Sequence, residues 1–190
     1  MFKLKSALFY KYIDQLYQSV PVGVYEGMVF VFCLGTVLLL LLYGARKGVE
    51  NSLKLLTAEY ISFILCSTVL FRSCHENVGY SITPFWSYVA IQNGRTDLMQ
   101  ANIMNVAIFI PIGVLLGCLS KRLKWWMVAL IGVGISLTIE ILQYLLKRGF
   151  AEVDDVMHNT LGCLIGFLMV AVIKGMWKLS RMMIGYATRR

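Results

Sequence analysis

Charge is scarce in this chain. Only 15% of its residues are charged and 58% are hydrophobic, with a mean hydropathy of +0.71. A soluble domain carries about a quarter charged residues, so this composition points first to an integral membrane protein. Paired cysteines are missing too. The five cysteines, at 33, 66, 74, 118 and 163, form no CxxC, and all but Cys74 lie in apolar runs, which excludes a disulfide framework or a metal-ligand spacing. The two histidines, His75 and His158, belong to no HExxH-like pattern. No metal and no cofactor is therefore expected. The net charge of +8 comes without a basic stripe interleaved with aromatics, which argues against nucleic acid and for lysines and arginines that anchor helices. No A-x-A-like site follows the first apolar run; "GARKG" does, so that run reads as a retained helix rather than a removed signal.

What is present is a series of long apolar runs. About 20 such residues cross a bilayer, and five segments qualify, near 27–44, 55–72, 102–119, 125–146 and 157–176. The third contains Pro111, which a spanning helix tolerates when neighbours satisfy the freed carbonyl. Ahead of them, residues 1–26 place Phe2, Phe9, Tyr12, Ile13, Leu16 and Val20 at helical spacing between polar residues, predicting an interfacial amphipathic helix ended near Pro21. The expected architecture is all-α: this lead, a five-helix membrane domain over 27–176, and a basic cytoplasmic tail over 177–190.

Lysines and arginines set the orientation. With five spans, eleven fall on the side holding 46–54, 121–124 and 174–190, and seven on the other. The richer side is predicted cytoplasmic, which leaves the N-terminus outside. Glu59 then sits near the cytoplasmic end of its span, where it can snorkel to water, and is assigned no role. The polar groups of the last four spans otherwise converge on the outer layer.

Those groups form a pattern. Glu140 and Gln143 are i, i+3 on the fourth run, with Tyr144 on the same face. Asp155 and Asn159 are i, i+4 on the fifth, and Gly162 and Gly166 continue close to that face as a GxxxG. Gly113 and Gly117 repeat the motif on the third run, below Asn105. A carboxylate within a membrane is costly unless paired or wetted, and Arg72 and Arg148 are the cations of the same layer. Two readings stay open: a polar cleft that handles a ligand, or an ion-pair and amide network that fastens helices. Asn102, Asn105 and Asn159 fit helix caps or interhelical hydrogen bonds equally. Pro84, Phe85, Trp86 and Tyr88 lie in the outer loop and predict a short in-plane helix that anchors at the interface, or rings that line the cleft rim.

Taken in order, Arg72, "ITPF" (82–85), "NVAIFIPIGVLLG" (105–117), "SLTIEILQYLLKRG" (136–149) and "EVDDVMHNTLGCLIGF" (152–167) resemble the VanZ-like family of bacterial membrane proteins, named for a teicoplanin-resistance protein. The resemblance covers 72–175. By position it carries the family's polar motif onto Arg72, Asn105, Pro111, Glu140, Gln143, Arg148, Asp155, Asn159, Gly162 and Gly166, with Glu152 standing at the first acidic position of a D-x-x-D-like element. It implies a multi-pass protein of a bacterial membrane with a role in tolerance of teicoplanin-type glycopeptides. It implies a phenotype and no reaction.

The first functional expectation is a non-enzymatic envelope protein. Its outer-leaflet cleft, built from Arg72, Asn105, Glu140, Gln143, Arg148, Glu152, Asp155 and Asn159, would bind a lipid-linked cell-wall precursor or a lipoglycopeptide tail, with membrane lipid as its standing partner. The alternative is an intramembrane enzyme using Glu140 and Asp155 as acid and base and Arg148 as oxyanion stabiliser, against which stands the lack of any nucleophile motif. A transporter ranks last because no internal repeat is visible. A partner-binding scaffold is the plain structural reading.

Overall fold

Helix α1, Val49–Leu65, opens at Gly48, whose φ of 86° few other residues adopt. Two of its hydroxyls bond back within the helix: Thr57 Oγ1 donates to the Leu53 carbonyl at 2.7 Å and Ser62 Oγ to Ala58 at 2.9 Å. Back-bonding of this kind lets polar side chains ride in an apolar helix. The helix continues as a π-helical segment, Cys66–Leu70, and π turns of this sort recur at functional positions. The computed structural model describes residues 35, 48–70, 72, 79–120 and 122–187. The interfacial lead over 1–26 and the first predicted span over 27–44 lie outside these residues, apart from Gly35.

Strand β1 is Tyr80–Ser81, helix α2 Trp86–Gln92 and helix α3 Asp97–Leu119. Helix α4 is Trp125–Leu145, strand β2 Ala151–Glu152 and helix α5 Val153–Ala187. Four helices among the described residues are long and apolar enough to cross a membrane: Glu50–Leu70, Asp97–Leu119, Trp125–Leu145 and Val153–Ile184. They correspond to the last four predicted spans. The all-α expectation holds, with one small addition. Two-residue strands β1 and β2 pair in parallel, Tyr80 with Ala151 and Ser81 with Glu152. Hydropathy periodicity carries no signal for a pair this short, because the hydrogen bonds are made by backbone. Helix α5 also runs on to Ala187, through most of the predicted basic tail.

The described residues sort into two compact units, one drawn from Met1–Trp86 and Leu137–Val153, the other from Ser87–Ser136 and Asp154–Arg190. The first buries Ile64, Val69 and Ile139. In the second, α3 and α5 meet on glycines. A Cβ at Gly162 would overlap the Val106 carbonyl, one at Gly166 the Ile110 carbonyl, and one at Gly113 the Cys163 carbonyl. At Gly117 it would come within 3.0 Å of the Val170 Cβ. Both GxxxG pairs thus lie on one helix contact, where backbone meets backbone. Phe109, Ile112, Val128 and Cys163 fill the core around it.

Candidate functional site

The polar residues of the first unit gather at the end of α4. That end is a Schellman motif: the Lys147 amide donates to the Tyr144 carbonyl and the Arg148 amide to the Gln143 carbonyl, at 3.2 and 2.7 Å. Lys147 takes the left-handed position, with φ of 56°. Glycine is usual there, because a side chain costs about 1 kcal/mol in that region. Lys147→Gly is therefore expected to raise stability by roughly 0.5–1 kcal/mol, read as a higher denaturation midpoint in detergent; an unchanged or lower midpoint would contradict the strain.

The motif aims two side chains at the end of the π segment. Gln143 Nε2 donates to the Thr68 carbonyl at 2.9 Å. The Arg148 guanidinium, 4% exposed, donates from Nη1 to the carbonyls of Leu70 and Arg72. A helix C-terminus presents orphan carbonyls and partial negative charge, and a buried guanidinium answers both. Gln143 Oε1 is buried without a hydrogen-bond partner. Beside it, an added Cβ on Gly149 would sit 3.0 Å from Arg72 Nη1 and 3.2 Å from Gln143 Oε1. Gly149 thus keeps open the approach between the exposed Arg72 and Gln143.

Glu140 is 5% exposed, and its Oε2 accepts the Glu152 backbone N–H at 3.0 Å. The Glu152 carboxylate in turn accepts from Trp86 Nε1 at 3.1 Å. Phe150 packs on Trp86 at 6.2 Å between ring centroids and fills the space above Gly79. Tyr80 meets Tyr144 edge-on at 5.9 Å. Five of the sequence candidates, Arg72, Glu140, Gln143, Arg148 and Glu152, therefore share one unit, and four of them hold backbone or loop groups in place.

The second unit has its own polar cluster. Asp154, 1% exposed, accepts from the Ser87 amide at 2.9 Å and from Ser87 Oγ at 2.6 Å. Asn102 Nδ2 donates to the same Ser87 Oγ at 3.1 Å. The carboxylate does for α2 what an N-cap residue would. Asp154→Ala is expected to cost about 2 kcal/mol and to release α2, read as faster amide exchange across Trp86–Gln92; exchange at the wild-type rate would refute this.

Asn159 Nδ2 donates to Ser136 Oγ at 2.8 Å, joining α5 to the middle of α4. Of the two uses open to the asparagines, Asn102 and Asn159 take the interhelical one. Asn105 and Asp155 are half-buried on α3 and α5. The buried aspartate of the pair is thus Asp154, which sequence reading passed over for its neighbour, and no spacing rule links it to Ser87.

Beside this cluster lies a cavity of about 360 Å³ lined by Tyr88, Ile91, Met99, Asn102, Ile103, Val106, His158 and Leu161. Its walls are mostly apolar. Its polar groups are Asn102 and a hydrogen bond between the Tyr88 hydroxyl and His158 Nε2, 2.8 Å long. Ligand sites of a few hundred Å³ have this character, apolar with a few placed polar groups. His158 was weighed in the sequence only as a metal ligand; its position one turn beyond Asp154 was the available hint. Among the described residues no three His, Cys, Asp or Glu side chains gather as a metal would require.

A family model described as VanZ/LLP1 matches residues 30–174. Protein VanZ of Enterococcus faecium is 33% identical over 86 residues, covering 45% of this chain and 48% of that protein. The chain thus spans about half the length of the curated relative it matches. No solved structure matches. With four apolar helices and a family match over most of its length, the chain belongs to the VanZ/LLP1 family, as a multi-pass protein of a bacterial membrane.

Proposed function

We propose that this protein contributes to tolerance of teicoplanin-type glycopeptides by holding the hydrocarbon tail of a lipid-tailed ligand, either a lipid-linked cell-wall precursor or the glycopeptide itself. The observation that carries this reading is the cavity of about 360 Å³ between α2, α3 and α5, apolar along Ile91, Ile103, Val106 and Leu161 and polar at Tyr88, His158 and Asn102. A tail would lie on the apolar walls, and its headgroup linkage would meet the Tyr88–His158 pair. The relative named Protein VanZ supports a role of this class.

The charge pattern supports an outward-facing cavity. His158 and Lys174 are about 24 Å apart along α5 at 1.5 Å per residue, close to the thickness of a hydrocarbon core. The basic residues cluster at the Lys174 end, which the positive-inside rule assigns to the cytoplasm. Binding rather than catalysis is favoured because Gln143 Nε2, Arg148 Nη1 and Glu140 Oε2 are engaged with backbone groups.

Filling the cavity tests the reading. Ile103 is more than half exposed within it, so Ile103→Trp can occupy the space without disturbing the helix contact. The expected result is a severalfold loss of tolerance to a tail-bearing glycopeptide at unchanged membrane abundance. A benzophenone side chain at Leu161 should also capture the tailed ligand. Full tolerance in the filled variant would overturn the proposal.

A further inference from the structure

We propose that the opposite end of the second unit is a binding site for the headgroup of an anionic glycerophospholipid, with Lys174 as its central donor. A pocket of about 200 Å³ lies there between the end of α3, the start of the α3–α4 connection and α5. Its apolar wall is Leu123, Phe167, Val170 and Ala171, and its polar end is Ser120 and Lys174. Lys174 Nζ donates to the Gly117 carbonyl at 2.7 Å. That carbonyl belongs to the last turn of α3, where the helix end is electronegative. The bond fixes the ammonium over the pocket and leaves two of its three N–H donors for a ligand. Ser120 Oγ accepts the Arg122 amide at 3.1 Å, so its own hydrogen is available as a further donor.

The charge around the pocket is one-sided. The sequence has no acidic residue between Asp97 and Glu140 and none after Asp155. Arg122, Lys124, Lys178 and Arg181 therefore add positive charge to Lys174 with no carboxylate from α3 beyond its first residue, from the first half of α4 or from α5 after its first turn to balance it. A basic pocket between membrane helices, in a unit whose own acidic residues lie only at its other end, fits a phosphodiester. The level is right for a lipid: Trp125, Trp126 and Trp177 are all exposed at this end, as in the aromatic belt of a membrane boundary. Arg181 stacks on Trp177 with its guanidinium carbon 5.4 Å from the ring centroid. A phosphate seated on Lys174 and Ser120 would leave its acyl chain along Phe167 and Val170. This site is separate from the tail cavity and does not rest on the function proposed for it.

The three boundary tryptophans give a direct readout. The purified full chain is reconstituted in phosphatidylcholine nanodiscs doped with brominated phosphatidylglycerol or, at the same mole fraction, brominated phosphatidylcholine. Stronger fluorescence quenching by the brominated phosphatidylglycerol is expected. The preference should disappear in Lys174→Gln, persist in Lys174→Arg, and persist in Lys178→Gln, which removes a neighbouring charge outside the pocket. Unlabelled phosphatidylglycerol should compete, and inorganic phosphate at the same concentration should not. Equal quenching by the two lipids, equal loss in Lys174→Gln and Lys178→Gln, or full competition by inorganic phosphate would each overturn the proposal.

Discussion

Arg148→Ala is expected to destabilise the protein by about 3 kcal/mol, enough to lower its abundance in the membrane severalfold. The guanidinium is buried and donates to the carbonyls of Leu70 and Arg72 at the end of the π segment. Without it those carbonyls lose a charged donor, and burial of the site keeps water from replacing it. Lysine is an incomplete substitute, since both bonds come from Nη1 at the tip of the guanidinium, and an ammonium is more strongly hydrated and so costlier to bury. The order of stability should be wild type, then Arg148→Lys, then Arg148→Ala, read from denaturation midpoints in detergent and from membrane abundance. A stable, abundant Arg148→Ala protein that had lost glycopeptide tolerance would show instead that the arginine serves a ligand. The experiment therefore separates the two readings that the sequence left open.

The second large effect is expected on the α3–α5 contact. Gly162→Val and Gly166→Val should each prevent accumulation of folded protein, with losses above about 4 kcal/mol, a size reserved for a named structural failure. The added atoms would occupy the positions of the Val106 and Ile110 carbonyls, and backbone cannot step aside as a side chain can. Even alanine at either position should cost roughly 2–3 kcal/mol, at the upper end for overpacking. Gly134 on α4 is the control, because a Cβ there meets nothing within 4 Å. Gly134→Ala should be neutral or gain up to about 1 kcal/mol from reduced backbone freedom. Comparable losses at Gly134 and Gly162 would mean that the glycines act through helix propensity and not through close approach.

Much of this protein was readable before any coordinates. Helix length and polarity follow from an energetic rule that acts locally: in hydrocarbon each backbone group must be satisfied within its own segment. The last four spans, the GxxxG pairs and the polar positions Glu140, Gln143 and Asn159 were therefore visible as patterns along the chain. Spacing along one helix also showed which of these residues share a face, since i, i+3 and i, i+4 are neighbours whatever surrounds them.

Partners were a different matter. Sequence gave no hint of the Glu152 amide that Glu140 accepts, nor of the two helix-end carbonyls that Arg148 meets. The Leu70 carbonyl belongs to the π turn that ends α1, which no residue pattern announced. Asp154 outranked Asp155 in burial because Ser87, 67 positions away, brings its amide and hydroxyl to that carboxylate. The cavity beside it needs three helices to exist at all. What can lie in a membrane and which faces carry polarity were legible in the residues, because those depend on the chain's own backbone and period. Which donor meets which acceptor came from the folded arrangement alone, because a hydrogen bond is a matter of a few tenths of an ångström between segments whose separation in sequence says nothing about their separation in space.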